Sequence, residues 1–470
     1  MKKLLFICLL AILIFTRFYN LGSTARFTRD ESYDIVKLHQ YWIEKRITLV
    51  GAINVTNEIV YSSLTYYMLM PFAVLGNFEP VSPVYGVAFY GILTAMVFIL
   101  LAKKINKKLL VWCAALVLVW FPLVQSSRWS WNPHLVSFWV GLGILSFLQK
   151  NNYYKFLSGV FFGLAFHNHY LSIVSTSVFL FLFSIEPFLK KNYKEILLPA
   201  AGFVLMILPY AVFDLRHPPG LFFTGYLKSN MVSKGIANEL TLFPNTFINS
   251  VYQSLLYMTQ NAIFAVILLI LSVLIAINDF SKKPKNLYYL IPVIFQIAVI
   301  SFLPTFENRY FLLGITFFYI WLVMPRKKLG SNTQKLAITV CIIGGILSLS
   351  GALTNPLSQP PPVVVAKITN YIKDAAIQND LKNVNIAALA SPDPDPLGLI
   401  YRDVLLSKEI RLLSAGEYGI TDNLFVVSTS DEGIVRADPA NVIHGFREGK
   451  VARIYDISDT GWKVYLFNRE

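Results

Sequence analysis

The chain has 470 residues and a net charge of +14, with 55% hydrophobic but only 14% charged residues. Soluble domains carry about 25% charged residues, so this deficit excludes an ordinary soluble protein and points to lipid-facing surface. The basic excess reads as charge in loops beside membrane spans rather than as a nucleic-acid footprint, and no nucleic-acid partner is expected.

The chain opens with MKKLLFICLLAILIFTRF, a basic end followed by an apolar core. With Ser23, Thr24 and Ala25 behind it this has the outline of a signal peptide, but a retained first span is preferred because further apolar runs follow. Spanning runs need about 17 to 25 residues. Eleven such runs lie near 4–20, 83–102, 109–125, 133–149, 155–170, 171–189, 195–214, 257–277, 287–304, 309–324 and 335–353. Residues 58–76 are also apolar, but they hold Ser62, Ser63, Thr65, three tyrosines and Pro71, and are assigned to an interfacial helix. Cys8, Cys113 and Cys341 all fall inside apolar runs, which suggests neither a disulfide framework nor a cysteine metal site.

That assignment makes the loop charges alternate. KKINKK, QKNNYYK, KKNYKE, SKKPKN and PRKK fall on one side with Lys2 and Lys3, so that side and the N-terminus are cytoplasmic by the positive-inside rule. The outer face receives residues 21–82 with Asp30 and Glu31, SSRWSWNPH, HNHY, a long loop over 215–256, PTFENRY and everything from about 355. Trp129, Trp131 and Tyr310 read individually as an aromatic belt. Taken together, polar groups gathered at span ends point to a cavity. The chain is therefore expected to be a multi-pass plasma-membrane protein, in contact with membrane lipids, with a membrane region over 1–354 and an extracytoplasmic α/β domain over 355–470.

In that tail, the PPP run disfavours helix and suggests an extended linker. Strands are expected at 384–390, 424–429, 451–457 and 462–468, with a helix in LGLIYRDVLLSKEI and a terminal hairpin turning at DTG. PDPDP (392–396) reads as a rigid connection more readily than as a metal loop. The sequence carries no GxGxxG, no Walker loop and no HExxH, so no nucleotide cofactor is expected.

Arg17, Asn20, Leu21 and Gly22 close the first run, and the acidic pair and Tyr33 follow within a short distance. Leu75-Gly76-Asn77 ends the interfacial segment, and NRYFLLGITFFYIW opens a late run. This layout resembles the GT-C class of membrane glycosyltransferases, and in particular bacterial relatives of the protein O-mannosyltransferases and the lipid A aminoarabinose transferases. One departure is that IVYSSLTYYM stands where many relatives have Pro-Pro-Leu. The resemblance implies an inverting glycosyltransferase moving a hexosyl or pentosyl sugar from a polyprenyl-phosphate donor to a hydroxyl acceptor on a protein, lipid or glycan. It places an aspartate of the first loop at the catalytic centre.

Such a transfer needs a base for the acceptor hydroxyl and cations for the leaving phosphate. Asp30 is the candidate base. Glu31 is the candidate for positioning the acceptor or binding a cation, and in extended chain the two side chains would point apart. Arg309 and Tyr310, in the Arg-Tyr patch, are the favoured phosphate-binding pair; Arg128 and Arg216 are further candidates, and Lys228 a weaker one. His167 and His169 are open to three readings: a divalent metal shared with Glu31, hydrogen bonding to sugar or phosphate, or a structural turn. Two other functions compete: an O-antigen polymerase or ligase, and a transporter. The second is disfavoured because no internal repeat is visible and the polar residues gather at one face.

Overall fold

The computed structural model describes residues 2–53, 60–218, 220–223, 243–302, 308–392, 394–457 and 460–469. The membrane region begins with α1 (Lys2–Phe18), α2 (Leu21–Thr24) and α3 (Arg29–Ile43), then strands β1 (Val50–Ile53) and β2 (Val60–Ser62). There follow α4 (Leu64–Leu75), α5 (Ser82–Ile105), α6 (Leu110–Val119), α7 (Phe121–Gln125), α8 (Val136–Phe147) and α9 (Asn152–Asn168). Helices α10 (Ser172–Leu189), α11 (Lys194–Arg216), α12 (Phe243–Thr259), α13 (Ala262–Lys282), α14 (Leu287–Ile300), α15 (Asn308–Val323) and α16 (Lys328–Thr354) complete it.

Among the described residues, six helices are long and apolar enough to cross a membrane, or seven if the bent pair formed by Lys107–Val119 and Phe121–Arg128 is one span. This differs from the eleven runs expected. The runs at 133–149, 155–170, 287–304 and 309–324 are also helical, but their helices, of 12, 17, 14 and 16 residues, are too short to be counted among these spans. Two of them are preceded by 3₁₀ segments, Asn132–Leu135 and Pro284–Asn286, each with a proline in its first positions. The long loop expected at 215–256 is also corrected at its C-terminal part, where α12 starts at Phe243.

The bend between α6 and α7 shows how one buried charge is used. Trp120 takes an extended conformation and Pro122 stands in the first turn of α7. Pro122 has no N–H for the Leu118 carbonyl, so a helix continuing through this point would leave that acceptor unpaired. Arg17, fully buried on α1, supplies the missing donors: Nη1 donates to Leu118 O at 2.8 Å and Nη2 to Val117 O at 2.6 Å. A second buried charge lies at the opposite end of the bundle. Asp279 accepts from both Nε and Nη2 of Arg326, the latter at 2.6 Å, and from the indole N–H of Trp321. Removing either partner of such a pair would leave an uncompensated charge, which is the costly way to break it.

The tail holds α17 (Pro362–Gln378), β3 (Val384–Ala388), α18 (Leu399–Ser407), β4 (Asn423–Ser428), α19 (Glu432–Arg436), β5 (Val451–Ile457) and β6 (Trp462–Asn468). The four strands form one sheet in the order β3-β4-β6-β5, with β3 and β4 parallel and the other pairs antiparallel. The parallel pair follows from α18, since parallel neighbours need a crossover. The proline run is not only a linker. Its last residue, Pro362, opens α17, because proline is tolerated at the start of a helix, where its missing N–H is no loss. The buried apolar face of this sheet does not close on itself. Ile386, Phe425, Val464 and helix residues Val365, Ile368 and Val404 pack in one core with Phe27, Ile35 and Leu38 of the first-loop region and Tyr66 of α4.

Candidate functional site

The acidic pair lies in the first turn of a helix, not in extended chain. Thr28 is the N-cap of α3, and Thr28 with Glu31 forms a capping box. Glu31 Oε2 accepts from the Thr28 N–H at 2.7 Å and from the Thr28 hydroxyl at 2.6 Å. Its other oxygen, Oε1, accepts the indole N–H of Trp129 at 2.6 Å. Trp129 is held in turn by a parallel stack on Trp131 at 4.4 Å, by the His134 edge, and by the Arg26 guanidinium 4.1 Å above its ring. Glu31 is thus buried and fully engaged. Asp30 is exposed beside it and carries no hydrogen bond or ion pair among the described residues. The two acids differ in burial and partners, and the cause is the helix cap, not the strand alternation of an extended chain. Asp30 also sits where the helix dipole favours a negative charge.

One turn further along α3, Asp34 accepts the Tyr66 hydroxyl at 2.6 Å. Burial pushes the Asp34 carboxyl up to about 8, the charges of Glu31 and Asp30 add to this, and the Tyr66 hydrogen bond opposes it. With the folded value above the unfolded one, ionisation of Asp34 opposes folding increasingly as pH rises from about 4 to about 8. Asp34→Asn keeps an acceptor for Tyr66 and removes the charge. It is expected to raise the melting temperature by several degrees at pH 8 and to leave it nearly unchanged at pH 4, as read by thermal melts in detergent.

Helix α4 connects this cluster to a cavity. While Tyr66 reaches Asp34, its neighbour Thr65 accepts from Asn168 Nδ2 at 2.9 Å at the end of α9. Beyond Asn168 lies an apolar cavity of about 310 Å³, lined among others by Tyr61, Phe166, Val174, Phe203, Tyr210 and Phe222. Its few polar groups are tied back: the Ser62 and Tyr210 hydroxyls are 2.7 Å apart, and His167 Nε2 lies 2.8 Å from Met206 O. At one edge the His169 ring lies 5.6 Å from Tyr310 and 5.8 Å from Tyr61. At another, Asp214 accepts three successive backbone N–H groups, from Leu221, Phe222 and Phe223, and so fixes that part of the wall.

The remaining candidates are distributed as follows. Arg128 is fully buried, and its Nη2 donates to Tyr19 O at 2.8 Å and to the Thr24 hydroxyl, while Nε and Nη1 have no partner among the described residues. Arg216 is exposed at the end of α11. Tyr310 is half-buried against His169. The side chain of Arg309 and all of Lys228 lie outside the described residues. His167 and His169 are split by the end of α9, one facing Met206 and Tyr210 and the other Tyr310. Among the described residues no group of three His, Cys, Asp or Glu side chains could hold a metal ion.

Sequence reading missed the partners Thr28, Asp34, Tyr66 and Trp129 in these roles. A signal for the first was present: TRDE at 28–31 has the Thr-x-x-Glu spacing of a capping box. Nothing in the spacing linked Trp129 to a residue 98 positions earlier. No protein-family model matches the chain. No curated protein matches it in sequence. Two solved structures of ArnT from Cupriavidus metallidurans, one bound to undecaprenyl phosphate and one in the apo state, do match it in shape. Each aligns with a TM-score of 0.56 at 10% identity, covering 99% of this chain and 98% of ArnT. The chain therefore has the fold of ArnT from end to end, the architecture that its first-loop resemblance implied.

Proposed function

We propose that the chain is an inverting glycosyltransferase that moves a sugar from a polyprenyl-phosphate donor to a hydroxyl acceptor at the extracytoplasmic face of the membrane. The observation that carries this reading is an exposed aspartate, Asp30, without a hydrogen-bond partner among the described residues, on a helix start locked by Glu31 and Trp129 and joined through α4 to an apolar cavity. The fold is that of a protein crystallised with undecaprenyl phosphate. In this reading the chain crosses the membrane eleven times with its N-terminus in the cytoplasm, and residues 355–470 form an extracytoplasmic unit seated on the first loop.

In the reaction, Asp30 accepts the proton of the acceptor hydroxyl as its oxygen attacks the anomeric carbon from the face opposite the phosphate. The bond from that carbon to the phosphate oxygen breaks, and the lipid phosphate leaves with the electron pair. Arg309 and Tyr310 bind that phosphate, with Arg128 and Arg216 as further cations, because a guanidinium fork matches two phosphate oxygens. His169 orients Tyr310 by ring contact. The cavity takes the first isoprene units of the lipid. No step is assigned to a metal ion.

Two measurements test this. Undecaprenyl phosphate should bind the purified protein, and Val174→Trp, which fills the cavity, should weaken that binding at least tenfold. Arg309→Ala should raise the apparent Michaelis constant for the lipid donor or abolish turnover, an effect on the order of 10²-fold in kcat/KM. The donor is identified as the lipid-linked sugar that accumulates in cells lacking the protein. Normal undecaprenyl phosphate binding by both variants would remove the lipid-phosphate site. An O-antigen polymerase or ligase, the competing enzyme class, works through external Arg and His and would retain activity when Asp30 is replaced.

A further inference from the structure

The start of α3, where Asp30 stands, is tied to the tail of the chain at three points. Leu357 N–H donates to Thr24 O at 3.0 Å, just before the helix. Phe27 N–H donates to the Ser358 hydroxyl at 2.8 Å, at the residue preceding the N-cap. Ser32, fully buried, donates its hydroxyl to Asp403 Oδ2 at 2.8 Å across 371 positions of sequence. The first two ties hold the strand of chain leading into the helix. The third reaches into its first turn, two residues beyond Asp30. Around it, Leu38 and Ile35 of α3 pack in one core with Ile400, Val404 and Leu405 of α18.

We infer that Asp403, in the tail, is a positioning residue for the transfer reaction: by accepting the Ser32 hydroxyl it sets the rotation and height of the first turn of α3, and so the aim of the Asp30 carboxylate. This rests on the reading of Asp30 as the base. The Ser32 hydroxyl has a competing local acceptor, Arg29 O at 3.0 Å, one turn back in the same helix. A serine hydroxyl has one proton to give. Without Asp403 it turns to Arg29 O and the helix loses its only side-chain hydrogen bond to α18 among the described residues. Catalytic geometry is sensitive to displacements of about 1 Å, which can cost about 10²-fold, so a lost tether two residues from the base is felt in the chemical step. The proposed donor contacts at Tyr310 and the cavity lie on other elements, so the donor KM is expected to hold.

The surroundings of Asp403 fit an acceptor rather than a free acid. It is half-buried, with Arg29 of α3 and Arg402 of its own helix as the cations facing it and Asp395 as the anion. Arg402 itself is spent elsewhere, on Leu413 O at 2.6 Å and on the Tyr418 hydroxyl at 3.0 Å. Ser32 is therefore the group that Asp403 holds directly.

The test uses the full-length protein in membranes, with the lipid-linked sugar that accumulates in cells lacking it as donor. Asp403→Ala and Ser32→Ala should each lower kcat about tenfold or more with the donor KM unchanged within about twofold. The double variant should be no worse than either single one, because both remove the same bond. Asp403→Asn, whose amide oxygen still accepts from Ser32, should restore kcat to within about threefold of the parent. Normal kcat in both alanine variants, additive losses in the double variant, or failure of Asn to rescue a properly inserted protein would each overturn the inference. Should Asp403→Ala fail to insert, Ser32→Ala and Asp403→Asn decide it. The base reading is judged separately by Asp30→Asn: if that variant stays active, the reading of Asp30 falls, whatever the Asp403 series shows.

Discussion

Asp30→Asn is expected to lower sugar transfer from the lipid donor by about 10²- to 10⁴-fold, the usual contribution of a positioned general base. The amide cannot take the acceptor proton, and the change is nearly isosteric. Asp30 is exposed and holds no hydrogen bond among the described residues, so the variant, which loses only a small helix-dipole contribution, should insert, melt within a few degrees of the parent and bind undecaprenyl phosphate as the parent does. That combination, lost turnover with intact binding and folding, separates chemistry from structure. Near-normal transfer by the variant would end the assignment of Asp30 as base.

Glu31 next to it should behave in the opposite way. Three donors converge on its carboxylate: the Thr28 N–H and hydroxyl on one oxygen and the Trp129 indole on the other. Alanine leaves all three without a partner. Loss of a capping residue costs about 0.5–2 kcal/mol, and each buried donor left unsatisfied costs about 1–3 kcal/mol. Glu31→Ala is therefore expected to destabilise the protein by roughly 2–4 kcal/mol and to lower activity as a consequence. Glutamine does not repair it. Only one end of the amide accepts, and the other presents N–H groups to donors that already carry hydrogen. The check is a melting series on Glu31→Ala, Glu31→Gln and Trp129→Phe. If the tryptophan contact matters as described, Trp129→Phe in the Glu31→Gln background adds little, because the bond is already lost.

The parts legible in the sequence were those set by composition over long windows. Apolar runs located the helices, and the period-two pattern with its turn residues located all four strands of the tail within a few residues: Val384–Ala388, Asn423–Ser428, Val451–Ile457 and Trp462–Asn468. Hydropathy did less well at the length of each helix. Two of the apolar runs, at 133–149 and 287–304, give shorter helices because a proline-containing 3₁₀ segment takes up the chain before Val136 and Leu287. Helix α17 was hidden by the three prolines before it, whose usual meaning is extended chain, although the last of them starts a helix. At the site, the acidic pair was visible as residues, whereas its arrangement depends on contacts between distant segments: Trp129 with Glu31, Tyr66 with Asp34, and Asp403 with Ser32. Only the capping box, a local pattern, could have been found without the fold.

Arg17 has a consequence for how the chain is made. Its partners, the carbonyls of Val117 and Leu118, emerge from the ribosome about a hundred residues after it does. Until then the first helix carries, one residue from its end, an arginine without those two acceptors, in a place from which a long side chain can still reach the headgroups. The first helix is therefore expected to settle into its final place only once the sixth and seventh helices have been made.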